Sequence, residues 1–248
     1  MFESIRGKKI LITGASGGIG ESMALLFAEH RATLGLHYNT GKDKIELLVG
    51  EIEKRGAQAR PFQADLAVES GQALVDSFID SFNGIDVLIN NAGAVFGFKD
   101  FLELDNESWE RTFRLNSQTP FFMSQRAFAY MKENGGGKII NISSVAAKYG
   151  GSARSLHYGA AKAALEAQTI GLARAGAKDG ILINAIRGGF IDTPFHQKLG
   201  SKNIGERIQL IPLKRAGRPE DVANMALFLA SEAGDFITGE ILAVAGGD

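Results

Sequence analysis

Short apolar runs alternate with amphipathic segments along this chain of 248 residues, and that alternation limits its fold more than any other feature. The apolar runs predict strands over residues 8–12, 32–38, 59–65, 86–90, 138–143, 181–186 and 240–245. Apolar residues at helical spacing predict a first helix that begins around Ile19. They predict further helices over residues 42–56, 74–82, roughly 106–132, about 157–177 and 219–231. Strands that are apolar throughout are typical of a parallel sheet with helices packed on both faces.

No linker, low-complexity segment or repeat interrupts this pattern, which predicts one domain over residues 1–248. The expected architecture is an α/β, Rossmann-type, doubly wound parallel sheet of about seven strands with helices on both faces. Ligands of such sheets bind at the carboxyl ends of the strands. Candidate functional residues are therefore expected where the strands end.

The composition excludes several classes of function. The chain has no cysteine, which rules out disulfides, thiol catalysis and cysteine-ligated metals, and its four histidines lack metal-ligand spacing. A net charge of −1 gives no general attraction to nucleic acid or to an anionic membrane. No stretch is long and apolar enough to span a bilayer, and no signal peptide precedes the first turn. We therefore expect a cytoplasmic protein without a bound metal.

The segment TGASGGIG, from Thr13 to Gly20, follows the first predicted strand and fits two patterns. Gly14 to Gly18 match G-x-S-x-G, the turn that presents a catalytic serine in α/β hydrolases, with Ser16 as the nucleophile. That fold places several strands before the serine and a histidine after a late strand, and this chain does neither. The alternative is a glycine-rich turn that holds a phosphate group against a helix N-terminus, which suits the first crossover of a doubly wound sheet.

Tyr158 and Lys162 give the strongest chemical signal. The segment YGAAK lies in a predicted helix, where a spacing of four residues places both side chains on one face. An unperturbed tyrosine has a pKa of about 10, and a nearby ammonium group is expected to lower that pKa toward neutrality. Ser143 and Ser144 end the preceding strand, so hydroxyl groups come to the ligand-binding edge of the sheet. Together these residues predict acid–base catalysis.

In the order and spacing of these motifs the sequence resembles the short-chain dehydrogenase/reductase family, and within it the 3-oxoacyl-[acyl-carrier-protein] reductases. TGASGGIG matches the family's T-G-x-x-x-G-x-G turn, NNAG (90–93) matches the motif after the fourth strand, and YGAAK matches Y-x-x-x-K. Asn116 in the central helix and Ser144 after the fifth strand complete the set. The resemblance covers essentially the whole chain. It implies hydride transfer between a nicotinamide dinucleotide and a ketone or secondary alcohol.

The resemblance assigns a catalytic role to four residues. Tyr158 would act as general acid in reduction and as general base in oxidation. Lys162 would lower the pKa of Tyr158 and bind the nicotinamide ribose, and Asn116 would hold a water molecule that links Lys162 to solvent. Ser144 would donate a hydrogen bond to the substrate oxygen. Asn90 is expected to be a structural tie between strands.

The resemblance also implies which residues bind the cofactor. The glycine turn would hold the pyrophosphate, the segment after the third strand would contact the adenine, the segment after the fourth strand would lie along the cofactor, and the loop GGFIDT (188–193) would hold the carboxamide. The residues concerned are Gly14, Ser16, Gly17, Gly18, Ile19, Gly20, Asp65, Leu66, Asn91, Ala92, Gly93, Gly189, Ile191 and Thr193, together with Tyr158 and Lys162. Asp65 is also a candidate helix N-cap. Gly188 stands where the family usually has proline, so we expect a less rigid loop.

The residues after the second strand bear on the choice between the two dinucleotides. NAD enzymes of this fold usually carry an acidic residue there, which binds the ribose 2′-OH. Tyr38 and Asn39 occupy those positions, and no acid is present to repel a 2′-phosphate. Lys42 and Lys44 follow closely, although Gly17 replaces the family's usual basic residue in the glycine turn. We therefore expect NADP(H) to be preferred over NAD(H).

The substrate is the least defined part of the prediction. Apolar residues follow several of the motifs and suggest an apolar pocket: Val95, Phe96, Phe98, Tyr149, Phe190 and Phe195. An acyl-carrier protein is an acidic partner, and it is weakly supported because Glu133 and Asp179 interrupt the basic patches that it would need. The alternatives are a 3-oxoacyl-[acyl-carrier-protein] reductase proper, an NAD-dependent alcohol or sugar dehydrogenase and, with less support, a non-catalytic dinucleotide-binding regulator. The family's common assembly implies a homotetramer.

Overall fold

The computed structural model describes residues 2–195 and 204–248, and at its centre is one parallel sheet of seven strands. The strands are β1 (Lys9–Ile12), β2 (Thr33–Tyr38), β3 (Gln58–Gln63), β4 (Val87–Asn90), β5 (Gly137–Ser144), β6 (Ile181–Gly188) and β7 (Ile241–Val244). Their order across the sheet is β3-β2-β1-β4-β5-β6-β7. The strand order therefore reverses between β1 and β4, and the carboxyl ends of strands at such a reversal form the usual ligand-binding crevice.

Helices cover both faces of the sheet. They are α1 (Gly18–Glu29), α2 (Lys42–Lys54), α3 (Gly71–Phe82), α4 (Asn106–Phe113), α5 (Thr119–Glu133), α6 (Val145–Tyr149), α7 (Leu156–Gly176), α8 (Ile204–Leu210) and α9 (Pro219–Ala230). Short 3-10 turns cover residues 3–5, 101–103, 177–179 and 232–234. Within the described ranges, no helix combines the length and the apolar character that a membrane crossing requires.

Alternate residues of the central strands pack into two separate cores. In β1, Ile10 and Ile12 belong to a cluster with α1, α2 and α9, whereas Leu11 belongs to a cluster with α3, α5 and α7. The same alternation is found in β4, where Ile89 faces the first cluster and Leu88 the second. Because both faces are buried, the strands read as continuous apolar runs, and the predicted fold class is confirmed.

The predicted elements are found, but some boundaries and segments differ. The helix predicted over roughly 106–132 is instead two helices, α4 and α5, joined by a π-helical turn over Arg114–Gln118. Neither α6 nor α8 was predicted, because five and seven residues are too few to show a helical period. β6 continues beyond its predicted end to Gly188, because its pairing with β5 and β7 extends that far.

Buried amide groups link the ends of β4 and β5. Asn90 Nδ2 donates to Asn141 Oδ1 at 2.8 Å and to Ser124 Oγ at 3.0 Å. Asn141 Nδ2 in turn donates to Thr169 Oγ1 on α7 at 2.8 Å. The expected structural tie at Asn90 is confirmed, and it fixes α5 and α7 against the strands that carry the candidate site.

Candidate active site

The four predicted catalytic residues lie on elements that meet at the carboxyl edge of the sheet. Ser144 is the last residue of β5, and Tyr158 and Lys162 lie one turn apart on α7. Asn116 lies in the π-helical turn between α4 and α5. This arrangement brings two hydroxyl groups, one amine and one amide to the same side of the molecule.

The hydroxyl group of Tyr158 is protonated at neutral pH. Burial raises its pKa to about 12, and a hydrogen bond with the Ser144 side chain opposes that rise. The expectation that the Lys162 ammonium group lowers this pKa below its ordinary value is therefore wrong for this structure. Burial of the phenol is the dominant cause, and Lys162 Nζ, 5.7 Å from the centroid of the phenol ring, donates its hydrogen bond to Ile142 and not to Tyr158.

Lys162 is a buried amine whose charge is easily changed. Its side chain is almost completely enclosed, and Nζ donates to the carbonyl oxygen of Ile142 at 2.8 Å. Burial lowers the pKa of Lys162 to about 8, and the carboxylate of Glu166 opposes that decrease. The amine is therefore mostly charged at neutral pH and loses its proton in mildly alkaline solution. Strongly shifted pKa values of this kind cluster at functional sites.

Glu166 is a residue that the motifs did not single out, although it lies one turn after Lys162 on α7. It is buried and accepts hydrogen bonds from Ser143 Oγ at 2.7 Å and from Arg187 Nε and Nη2 at 2.9 and 2.6 Å. The same hydrogen bonds raise the pKa of Arg187. Because Ser143 precedes Ser144, the Glu166–Arg187 pair joins the ends of β5 and β6 next to the site. The spacing of four residues from Lys162 is the sequence signal that could have identified Glu166.

Asn116 is fully buried and holds the loop after β4. Its Nδ2 group donates to the carbonyl oxygens of Ala94 at 2.7 Å and Thr112 at 2.8 Å. Its Oδ1 atom has no hydrogen-bond partner in the part of the chain that the structure describes. A Cβ atom at Gly93 would lie 2.8 Å from Asn116 Oδ1 and 3.4 Å from Lys162 Nζ, so the glycine leaves space beside both polar atoms.

The glycine turn joins β1 to α1 and leaves the helix N-terminus without a side-chain cap. Gly14 and Gly18 have φ values of +66° and +57°, in the left-handed region that favours glycine. A Cβ atom at Gly20 would lie 2.2 Å from the carbonyl oxygen of Gly14, so the helix approaches the turn more closely than another residue allows. The remaining cofactor candidates of the turn are partly exposed: Ser16, Gly17 and Ile19. An uncapped helix N-terminus of this kind fits the pyrophosphate of a dinucleotide.

The segment after β4 shapes this turn. The backbone amides of Asn91 and Ala92 both donate to Thr13 Oγ1, each at 2.9 Å. Asn91 Nδ2 donates to the carbonyl oxygens of Thr13 at 2.8 Å and Gly14 at 3.1 Å. The NNAG motif and the glycine turn are thus one hydrogen-bonded unit, and a side chain change at Asn91 would act on both.

Asp65 and Leu66 lie in the turn that follows β3. Asp65 Oδ1 accepts a hydrogen bond from the amide of Ala67 at 3.0 Å, whereas α3 begins only at Gly71. Asp65 therefore stabilises a turn, and its expected role as a helix N-cap is wrong. Leu66 is buried, and its carbonyl oxygen accepts a hydrogen bond from Thr119 Oγ1 at 2.9 Å. Both residues lie at the carboxyl end of the sheet, as a cofactor contact requires.

The loop after β6 meets the glycine turn. A Cβ atom at Gly18 would lie only 3.3 Å from Thr193 Cγ2, so the two segments are in contact. Ile191 forms an isolated β-bridge with Gly217, and the backbone of Gly189 packs closely on the segment after β7. The loop is therefore anchored on both sides although proline is absent from its start.

Tyr38 and Asn39 differ in exposure. Tyr38 is 6% exposed and packs in the core cluster with α1 and α2, whereas Asn39 is exposed. Lys42 lies 3.7 Å from Glu46 in an ion pair, and Lys44 is exposed. The side chain available to a ligand at this end of β2 is thus that of Asn39 and not that of Tyr38.

Aromatic side chains lie beside Tyr158. The ring of Phe195 is 6.0 Å from that of Tyr158, measured between centroids. His157 Nε2 hydrogen-bonds the carbonyl oxygen of Phe96 at 2.7 Å, which ties the loop after β4 to the start of α7. Tyr149 is more than half exposed. Of the predicted apolar residues, Phe195 thus borders the tyrosine, whereas Tyr149 is open to solvent.

Sequence comparisons agree with this geometry. The model of a family described as enoyl-(acyl carrier protein) reductase matches residues 14–248. The chain is 34% identical over 246 residues to the 3-oxoacyl-[acyl-carrier-protein] reductase FabG of Thermotoga maritima, with 98% of each chain covered. It is 36% identical over 247 residues to the FabG of Chlamydia pneumoniae, with 97% of this chain and 96% of that protein covered.

Solved structures show the same fold. A blue fluorescent protein from a metagenomic library in complex with NADPH matches with a TM-score of 0.92 and 36% identity, with 98% of each chain covered. A putative NAD(P)-dependent gluconate 5-dehydrogenase from Beutenbergia cavernae with bound NADP matches with a TM-score of 0.92 and 30% identity, with 100% of this chain and 98% of that chain covered. Fold and relatives together define a pyridine-nucleotide-dependent oxidoreductase. The chain belongs to the short-chain dehydrogenase/reductase family, as its motifs predicted.

Proposed function

We propose that this enzyme transfers hydride between NADP(H) and a ketone or secondary alcohol, with Tyr158 as the proton donor or acceptor. The observation that carries the proposal is the arrangement of Ser144 at the end of β5 with Tyr158 and the buried Lys162, which lie one turn apart on α7. The nicotinamide would supply or accept the hydride, whereas the protein would supply the proton and the positions of the reactants.

Ser144 and Tyr158 would bind the substrate oxygen together. Each hydroxyl can donate one hydrogen bond, so a carbonyl oxygen that accepts from both is polarised and its developing negative charge is stabilised. The raised pKa keeps Tyr158 protonated until that oxygen takes its proton. The charged form of Lys162 would stabilise the phenolate that remains. Asn116 Oδ1, a buried acceptor near Lys162, would hold the water through which the proton is replaced.

The residues that would bind the dinucleotide follow the edge of the sheet. The uncapped N-terminus of α1 would hold the pyrophosphate within Gly14, Ser16, Gly17, Gly18, Ile19 and Gly20. The turn at Asp65 and Leu66 would contact the adenine. The backbone of Asn91, Ala92 and Gly93 would line the middle of the cofactor, and Gly189, Ile191 and Thr193 would hold the nicotinamide end with Tyr158 and Lys162.

The preference for NADP(H) is supported by the end of β2. Asn39 is exposed there and carries no negative charge, so nothing at that position repels a 2′-phosphate. Lys44 is exposed two residues into α2 and can offer positive charge. Two of the matching structures contain bound NADPH or NADP, which agrees with this proposal.

A fluorescence titration with NADPH and NADH in parallel tests the cofactor. We expect tighter binding of NADPH by the unmodified protein. Asn39→Asp places a carboxylate at the available position, and it should weaken NADPH binding by about tenfold through charge repulsion, with little change for NADH. Tighter binding of NADH by the unmodified protein would refute the proposed preference, and binding of neither would refute the cofactor assignment.

Tyr158→Phe tests the chemistry. The variant should keep its NADPH affinity and lose turnover by about 10³-fold, because it lacks only the proton donor. Tyr130→Phe on α5 is the matched control, since it removes a phenol hydroxyl from another part of the fold and should leave turnover unchanged. Retention of turnover by Tyr158→Phe would exclude the proposed mechanism. Absence of turnover in the unmodified protein despite tight cofactor binding would favour the non-catalytic regulator.

A 3-oxoacyl-[acyl-carrier-protein] reductase is the second candidate, because the relatives compared above carry that name. The two candidates differ in the carrier that they require. Reduction of an acetoacetyl thioester on acyl-carrier protein much faster than on pantetheine alone would establish the second candidate. Equal rates, or faster reduction of a free ketone, would favour the first.

We also propose a homotetramer, which light scattering would detect at four times the subunit mass of 26.5 kDa.

A further inference from the structure

His37 joins three segments that surround the proposed dinucleotide site. It lies near the end of β2 and is 2% exposed. Its Nδ1 atom accepts a hydrogen bond from the backbone amide of Gly14 at 3.0 Å, and its Nε2 atom lies 3.0 Å from the carbonyl oxygen of Ala64, directly before Asp65. Its own carbonyl oxygen accepts from the amide of Ala15 at 2.8 Å. One residue thus links β2, the glycine turn and the turn after β3.

These contacts define the protonation state of the ring. A backbone amide can only donate, so the Nδ1 atom that faces Gly14 must carry a lone pair. The proton of the neutral ring is therefore on Nε2, which donates to the carbonyl oxygen of Ala64. A second proton on Nδ1 would direct two N–H groups at each other across 3.0 Å. The doubly protonated ring is incompatible with the observed position of Gly14.

We propose that neutral His37 is a positioning residue for the dinucleotide, which holds the Gly14 amide and so fixes the glycine turn in its binding conformation. This inference rests on the proposed function, because it assigns the glycine turn to the cofactor. His37 acts through Gly14 and has no assigned contact with the reacting atoms. Its loss should therefore raise the cofactor Kd and KM and leave kcat at saturating cofactor unchanged.

The surroundings of His37 set the pH at which the effect appears. Burial lowers the pKa of His37 below 6.5, while the hydrogen bond to Ala64 and the carboxylates of Glu69 and Asp65 oppose that decrease. The ring is therefore neutral at pH 7 and takes up a proton only in acid. Because the binding conformation requires the neutral ring, cofactor affinity should fall as the pH decreases below 6.5.

Two substitutions distinguish the hydrogen bond from Gly14 from the titration of the His37 ring. In His37→Asn, the amide oxygen stands close to the place of Nδ1 and can still accept from Gly14, and this side chain does not titrate. In His37→Leu, the amide of Gly14 loses its partner. We expect His37→Leu to weaken NADPH binding about tenfold or more, because a partly buried amide without a hydrogen-bond partner is costly. His37→Asn should recover most of that loss. His30→Asn, at the opposite end of α1, is the control for loss of an imidazole and should bind as the unmodified protein does.

The test is fluorescence titration with NADPH at pH 7.5 and at acidic pH, together with kcat at saturating NADPH. The 2′-phosphate of NADPH titrates near pH 6, but it does so equally with the unmodified protein and with His37→Asn. The ratio of their Kd values therefore reports His37 alone, and it should increase at the acidic pH at which the histidine NMR described below shows that His37 takes up its second proton. A ratio that stays constant through that protonation, or an affinity of His37→Leu equal to that of the unmodified protein, overturns the inference. So does a fall in kcat that matches the loss of affinity.

Two measurements on the unmodified protein, of the His37 protonation state and of NADPH binding, complete the test. Nitrogen NMR of labelled histidine in the unmodified protein should show His37 with its proton on Nε2 at pH 7, and a proton on Nδ1 would overturn the inference even if His37→Leu does not fold. Failure of the unmodified protein to bind NADPH would instead refute the proposed function. The two failures are thus distinguishable.

Discussion

Lys162→Met should make the protein inactive and, at neutral pH, more stable. The pKa of Lys162 is about 8 in the folded protein, against an ordinary value of 10.5. Because a pKa difference of one unit corresponds to about 1.4 kcal/mol, the charged amine destabilises the folded state by about 3 kcal/mol below pH 8. Methionine fills a similar volume without the charge, but it leaves the carbonyl oxygen of Ile142 without its donor, which costs about 1–2 kcal/mol. A net gain of about 1–2 kcal/mol at pH 7 is therefore expected.

The pH dependence is the sharper part of this prediction. Between pH 8 and 10.5 the unfolded chain binds more protons at Lys162 than the folded protein does. The contribution of Lys162 to the free energy of unfolding therefore rises with pH in this range. The advantage of the variant should accordingly shrink by about 2 kcal/mol between pH 7 and pH 9.5. Tyr158, with its pKa raised to about 12, contributes in the opposite sense only above pH 10 and leaves this window unaffected.

Urea unfolding at pH 7.0, 8.5 and 9.5, without added cofactor, measures the effect. Other lysines and tyrosines titrate in both proteins, so only the difference between variant and unmodified protein is interpreted. Lys132→Met, on the exposed surface of α5, is the control and should show a difference that does not depend on pH. A Lys162→Met variant that is less stable than the unmodified protein by the same amount at every pH would show that charging Lys162 is not costly, and the reasoning would fail.

Two further substitutions test the supporting structure. Gly20→Ala places a Cβ atom 2.2 Å from the carbonyl oxygen of Gly14 and should abolish NADPH binding and lower the Tm, whereas Gly50→Ala on α2, with no atom within 4 Å, should raise the stability by about 0.5–1 kcal/mol. Glu166→Gln removes a negative charge that opposes the lowering of the Lys162 pKa, so that pKa should fall further below 8. The alkaline limb of the pH–rate profile should then move to lower pH, and an unmoved profile would exclude this electrostatic role.

Much of the fold could be predicted because the strands are buried on both faces. The ends of β1 and β4 lie where their apolar runs end, since no exposed alternation obscures them. The interrupted helix could not be predicted, because Arg114–Gln118 contains no glycine or proline that would mark a change in helical winding. The π-helical turn is accompanied by hydrogen bonds from Asn116 to Thr112 and to Ala94, and the second of these is a tertiary contact that no local pattern reveals.

The motifs predicted which candidate residues come together at the edge of the sheet but not their electrostatics. The pKa of Tyr158 was expected to fall because Lys162 is near in sequence, whereas it rises because burial in the folded chain outweighs that proximity. The partners of Glu166 and His37 could not be predicted for a related reason. Arg187 and Gly14 lie 21 and 23 positions away from them, and these contacts depend on the packing of α7 against β6 and on the pairing of β1 with β2.

The polar groups at the carboxyl edge of the sheet have opposite effects on stability. Lys162 carries a costly charge, and Asn116 Oδ1 is buried without a partner among the described residues. Nearby, Glu166 accepts several hydrogen bonds that join neighbouring strands and a helix, whereas Asn90 is paired only through Nδ2 and its Oδ1 atom is buried without a partner among the described residues. A fold that needed only stability would replace the first two residues with apolar ones. Polar groups that cost stability are expected where they serve chemistry, which is the role that we propose for Lys162 and Asn116.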